Sequence, residues 1–164
     1  MLSKKMLAAL NGQINAELYS SYLYLSMAAW FESENLKGFA SWMRVQAQEE
    51  QSHAMKFYGY IHDRMGRVTL GAIEAPPASW AAPSAAFADT CKHEAKVTGL
   101  INALADLSAA EKDHATANVL QWFVTEQVEE EAAANAILAM LKAIKDSANG
   151  LFMIDHQLVK RGKS

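Results

Sequence analysis

Four long stretches of this chain repeat apolar residues at helical spacing, and each sets an acid on its apolar stripe near the middle. At about 100° per residue, Leu10, Ile14, Glu17, Ser21, Tyr24, Ala28 and Phe31 share one face of the first stretch. The second aligns Leu36, Phe39, Met43, Gln46, Glu50, His53, Phe57 and Ile61, and the third Phe87, Cys91, Glu94, Thr98, Ile101 and Ala105. The fourth aligns Val119, Phe123, Glu126, Gln127, Glu130, Ala134, Ile137 and Leu141. A single buried carboxylate with no partner is costly and takes up a proton instead. Four meeting at one depth point to bound cations, which sets them apart from a buried polar network or partly exposed charge.

The breaks between stretches order these helices. Helices are expected over about 4–31, 36–65, 84–110 and 113–149, with Ser84 as N-cap of the third and Gly150 ending the fourth, and a short fifth over 151–159. Residues 66–83 hold all three prolines and two glycines and have no sustained helical period, so they form a connection. Helices of about 28 residues are roughly 42 Å long, and 18 extended residues reach about 59 to 65 Å. The connection can therefore run the length of a bundle and make the second and third helices parallel. The expected fold is all-α: two helical hairpins in a four-helix bundle with one long crossover and a short C-terminal fifth helix, a single domain over 1–164.

Spacing sharpens the chemistry. Glu17 precedes Glu50 by 33 residues with His53 three further on, and Glu94 precedes Gln127 by 33 with Glu130 three further on. The halves read as a duplicated half-site with unequal ends. Residues at i and i+3 share a helix face, so Glu50 can bridge two ions while His53 caps one. Four ionised carboxylates balance two divalent ions, and oxygen-rich ligation with one histidine suits Fe(II), with Mn(II) or Zn(II) as competitors.

Composition excludes other classes. One cysteine, Cys91, allows neither an internal disulfide nor a Cys-rich metal cluster, and it reads as core filler in a reducing compartment. No apolar run approaches a membrane span and the start does not read as a signal peptide, so a soluble cytoplasmic protein is expected. At net charge −3, with basic residues grouped only at Lys160, Arg161 and Lys163, no nucleic-acid partner is expected. His62, His93, His114 and His156 have no converging partners at these spacings and read as surface or structural.

The segments NAELYSSYLY around Glu17, QAQEEQSHA around Glu50 and His53, KHEAK around Glu94 and LQWFVTEQVEEE around Glu130 resemble bacterial non-haem ferritins over essentially the whole chain. The resemblance implies a ferritin-like bundle, ferroxidase activity and iron storage and detoxification. Fe(II) would be oxidised by dioxygen or hydrogen peroxide at an intra-subunit di-iron site. Ferric mineral would collect inside a 24-subunit homo-oligomeric cage. Glu17, Glu50 and His53 would hold one iron and Glu50, Glu94 and Glu130 the second, with Gln127 beside the pair. Glu49, Glu126 and Glu129, with Glu130, match a third iron site, with a solvated acidic face as the lesser alternative for Glu126 and Glu129. Tyr24 matches an electron donor to activated oxygen, and equally a core aromatic hydrogen-bonded to a ligand; for Trp122 the core reading is stronger.

Where bacterioferritins repeat Glu-x-x-His and place a haem-ligating Met after the bridging glutamate, this chain has Gln127, Glu130 and Gln51, so no haem is expected. A neutral Gln127 removes one anionic ligand and is expected to weaken the second iron position, so that iron passes through as substrate. Two other functional classes compete with iron storage: a di-iron peroxidase or oxygenase that keeps its metals, and a bundle whose acids fix register or hold a redox-inert ion.

Overall fold

A computed structural model describes residues 1–161. Five helices follow in order: α1 Lys4–Ser33, α2 Lys37–Asp63, α3 Pro83–Ala110, α4 His114–Ile144 and α5 Ala148–Leu158, with no strand among the described residues. The architecture is the all-α four-helix bundle with a short fifth helix that the periodicity implies. No helix among the described residues is long and apolar enough to cross a membrane.

Side-chain caps start three of the helices. Ser3, Asp113 and Ser147 accept from the amides of Met6, Thr116 and Gly150, satisfying donors the first helical turn leaves free. Arg64 adds a two-pronged contact to Asp113 at 3.0 and 3.1 Å. Burial alone would raise the Asp113 carboxyl, but Arg64 and Thr116 bring it down to about 2. The ends of α1, α2 and α3 share one device. Asn35, Met65 and Lys112 each take positive φ, and the next amide bonds back to Phe31, Ile61 or Ser108.

The crossover lies along α1. Asn11 bonds the carbonyl of Arg67 and the amide of Thr69, Asn15 bonds the carbonyl of Ala72, and Ser26 bonds that of Pro77. It thus travels from the end of α1 near Leu7, beside Gly66, to the end near Trp30, where Trp80 packs edge-on. This places α2 and α3 parallel and each antiparallel to its hairpin partner.

Three boundaries differ from the sequence reading. Ser84 is not the N-cap of α3: Ala82 takes that place with Pro83 following, and Ser84 bonds the Asp146 carboxylate. Helix α4 ends at Ile144, not near 149, because Lys145 and Asp146 both adopt left-handed backbone. Ser147 then opens α5, and Gly150 lies inside that helix, where an added Cβ would come within 2.6 Å of Ile144. Cys91 is only half-buried. The buried position beside it is Thr90.

Two apolar clusters occupy the ends of the bundle. One, around Phe31, Phe39, Trp42, Phe87 and Leu141, is closed by Ile154 and Leu158 of α5; the other surrounds Leu10, Phe57, Ile101, Leu120 and Phe123. At about 25 cal/mol per Å² these clusters dominate folding. The acids lie in the waist between them.

Candidate metal centre

The waist holds Glu17, Gln46, Glu50, His53, Glu94, Gln127 and Glu130, all buried. Each helix of the bundle contributes, because the apolar stripes that form the end clusters carry these side chains inward at the same level. Three groups of donors converge, each with one ligand atom per residue and those atoms within 4.8 Å of one another: Glu17, Glu50 and His53; Glu50, Glu94 and Glu130; and His53, Glu126 and Glu130. Glu50 belongs to the first two groups, the placement a bridging carboxylate requires.

Hydrogen bonds orient the carboxylates unevenly. Gln13 Nε2 donates to Glu17 Oε1 at 2.8 Å, while Glu17 Oε2 is buried with no partner. The Tyr24 hydroxyl donates to Glu94 Oε1, and Gln127 Nε2 reaches Glu94 Oε2 at 3.2 Å. Gln46 Nε2 donates to Glu130 Oε2 at 2.6 Å and Glu50 Oε1 at 3.2 Å. His53 Nδ1 lies 3.3 Å from Glu50 Oε2, and its Nε2 lies 3.8 Å from Glu126 Oε1.

Burial first, and neighbouring carboxylates second, push the acids toward the protonated state. Glu17 rises to about 8 through burial and the charge of Glu50. Glu130 rises to about 7 through burial and the charge of Glu94. Glu50 is driven well above the carboxylate range by burial and Glu94, and burial raises Glu94 against the pull of its bonds from Tyr24 and Gln127. Such a cluster is high in energy when ionised and empty. A hard cation relieves both the repulsion and the orphaned Glu17 oxygen, so the donor set fits divalent iron, manganese or zinc.

The other sequence candidates fall differently. Glu126 joins a converging group, Glu129 is exposed and outside every group, and Glu49 pairs with Arg161 at 2.7 Å. Tyr24 is fully buried against Glu94. Trp122 is not core: it is 40% exposed, packs edge-on to His53 at 5.4 Å and lies under the Lys56 ammonium. His93 is structural, its Nε2 2.7 Å from Ser20 Oγ, and burial, then Lys96, lowers it to about 4. Lys163 lies outside the described residues.

Two residues in the waist had no assigned role in the sequence. Gln13 and Gln46 each precede a glutamate by four positions and are themselves 33 apart, so the duplicated spacing extends to the amides that hold Glu17 and Glu50. That signal was present. Nothing local announces Arg161, which reaches Gln46 from 115 positions away.

Fold and site together define a helical bundle with a buried carboxylate–histidine cluster that could hold metal. The family model described as Ferritin-like domain matches residues 7–144, and the chain belongs to the ferritin family. It is 46% identical over 161 residues to a bacterial non-heme ferritin of Bacteroides fragilis (strain YCH46), covering 98% of this chain and all of that one. A bacterial non-heme ferritin of Staphylococcus aureus (strain MRSA252) is 37% identical, covering 98% of this chain and 97% of its own. Among solved structures, an open pore ferritin from the hyperthermophilic archaeon Archaeoglobus fulgidus superposes with a TM-score of 0.96 at 52% identity, covering 97% of this chain and 98% of that one.

Proposed function

We propose that this protein is a ferroxidase that binds two Fe(II) ions at the waist, oxidises them and deposits ferric mineral inside a homo-oligomeric cage. The observation carrying this reading is Glu50, whose carboxylate is common to two converging donor groups and so can hold two ions side by side. In it, Glu17, Glu50 and His53 ligate one ion and Glu50, Glu94 and Glu130 the other, with Gln127 orienting Glu94.

Two adjacent ions let an oxidant take an electron from each in one encounter. Two Fe(II) and one dioxygen with two protons give two Fe(III) and one hydrogen peroxide; peroxide as oxidant gives water. Binding displaces the protons that the raised Glu17 and Glu130 carboxyls hold near neutral pH. Those protons become available to the reduced oxygen. In this reading Tyr24, whose hydroxyl donates to Glu94, gives a further electron.

The inequality of the halves favours passage of iron over retention. Gln127 supplies no charge where a glutamate would add a carboxylate to Glu50, Glu94 and Glu130, so the second ion is held less tightly than that glutamate would hold it. Kinship with ferritins supports the further reading that storage takes place in a cage of twenty-four subunits. Aerobic addition of Fe(II), with oxidation followed by absorbance and iron per particle measured after size separation, tests the reading. Rapid oxidation with retention of many more ions than the sites can hold is expected. Retention limited to the sites themselves would remove the storage function.

A further inference from the structure

The Tyr24 hydroxyl donates to Glu94, and its ring has another neighbour. His93 meets it edge-on, with ring centres 5.9 Å apart and planes at 85°. Tyr19 packs against the same imidazole at 5.8 Å and 55°. The three rings form a file from Tyr24, which is fully buried, through His93 to Tyr19, which is half-buried. Its middle member is held in place. Ser20 has a single hydroxyl hydrogen and gives it to the Ala16 carbonyl at 3.0 Å, so His93 Nε2, 2.7 Å from Ser20 Oγ, is the donor to that oxygen. This bond sets the orientation of the imidazole between the two phenols.

The outer end of the file opens on a cavity. Tyr19 and His93 line a space of about 220 Å³ between α1, α3 and the crossover. That volume lies below the range of drug-sized ligand pockets, so it suits only a small molecule. Lys92 and Lys96, both exposed and one helical turn apart, stand at the same cavity. Asp89 is the one acid among the lining residues, and it already accepts from Trp80 Nε1 at 3.0 Å. The balance of charge is positive, which raises the local concentration of anions.

We propose that this cavity is an electron port, where a small anionic enediol docks beside Tyr19 and restores Tyr24 through the file of rings after Tyr24 has given its electron at the waist. This rests on the reading of Tyr24 as an electron donor and supplies the source that replenishes it. In giving its electron to partly reduced oxygen, Tyr24 passes its phenolic proton to Glu94, the carboxylate it already bonds, and becomes a neutral phenoxyl radical. Tyr19 then returns an electron across His93, which bridges the two rings without itself being oxidised. Tyr24 recovers the proton from Glu94, and Tyr19 releases its own to solvent. The enediol gives Tyr19 one electron and one proton and leaves as a radical.

Ascorbate serves as the anionic probe and hydroquinone as a neutral one. Freeze-quench electron paramagnetic resonance, after Fe(II)-loaded protein meets dioxygen, should show a phenoxyl signal in the native chain and none in Tyr24→Phe. Ascorbate should shorten the life of that signal. In Tyr19→Phe the decay should return to the rate seen without ascorbate, and in Tyr19→Trp, which keeps an oxidisable ring, ascorbate should act again. Lys92→Glu combined with Lys96→Glu should slow the ascorbate-driven decay by about tenfold or more and spare the decay driven by hydroquinone. Ascorbate that has no effect in the native chain, or acts as fast in Tyr19→Phe, would overturn the proposal. So would a lysine variant that responds alike to both reductants. A signal that persists in Tyr24→Phe, or no signal in a native chain that oxidises iron, would overturn it and leave the ferroxidase reading standing. A native chain that oxidises no Fe(II) would instead remove that reading, and this inference with it.

Discussion

The two halves of the waist share a spacing and differ in how their oxygens are satisfied. On the α1 and α2 side, Glu17 has one bond from Gln13 and one bare buried oxygen, and a histidine completes the group. On the α3 and α4 side, Glu94 receives Tyr24 and Gln127, Glu130 receives Gln46, and neither helix contributes a histidine to the group of Glu50, Glu94 and Glu130. The first half is thus poised for a cation, whereas the second holds its carboxylates with neutral donors that a cation must share. Equal spacing does not make equal sites, because the donors around a carboxylate decide how much of its charge remains to attract a metal.

The largest effect is expected where the halves join. Glu50→Ala removes the shared ligand from both, and stopped-flow Fe(II) oxidation should slow by more than about 100-fold, since even indirect supports of metal ligands change affinity by about 10 to 100-fold. Oxidation at the native rate would show that the halves act without a bridge.

Next comes pH. Glu17 at about 8 and Glu130 at about 7 stand above the ordinary 4.5 of a carboxyl. Between 4.5 and those values the folded chain binds more protons at these two groups than the unfolded one, so their contribution to stability is full below 4.5 and is lost as pH rises through 7 and 8. Each unit of separation is worth about 1.4 kcal/mol, which places the loss for a metal-free chain on the order of several kcal/mol. Thermal melts from pH 5 to 8 should show Tm falling without metal and holding steady with Zn(II). A flat metal-free profile would mean that the waist is wetter than its burial implies.

Gln127→Glu would add a fourth carboxylate to the second half, beside Glu50, Glu94 and Glu130. Iron retention after oxidation should rise by about tenfold, as for gain of a supporting group at a metal site. Unchanged retention would detach the asymmetry from iron release. The smallest effect should come from Tyr24→Phe, which removes one neutral donor from Glu94. Because that donor competes with the cation for Glu94, anaerobic titration should show binding tightened by a few-fold, within the range of about 1 kcal/mol for one hydrogen bond, confined to the second half. Gln13→Leu should alter only the first. If either variant changed both halves equally, the comparison would fail.

Much of this molecule was legible in its residues, for reasons the structure makes plain. Helical periodicity places a side chain on a face without knowledge of what lies opposite, so Glu17, Glu50, His53, Glu94, Gln127 and Glu130 could be assigned to inward stripes and are all buried. The length of 66–83 allowed a crossover, and the bonds from Asn11 to Ser26 carry it along α1. Cys91 escaped because a stripe blurs at its edges: Thr90, one residue away, takes the inner position. The end of α4 escaped because left-handed backbone at Lys145 and Asp146 is stabilised by α5 packing and by Ser84 from a distant helix, with no glycine to mark it.

The sequence by itself determined that four acids and a histidine would share the core of a bundle, since covalent spacing and helical pitch set their faces. Only the tertiary structure decided how those groups are held. Which donors restrain Glu94 and Glu130, and that Arg161 bonds Glu49, depend on atoms brought within about 3 Å from separate segments of the chain. Hydrogen bonds and ion pairs act at that range, and periodicity along one helix carries no information about it.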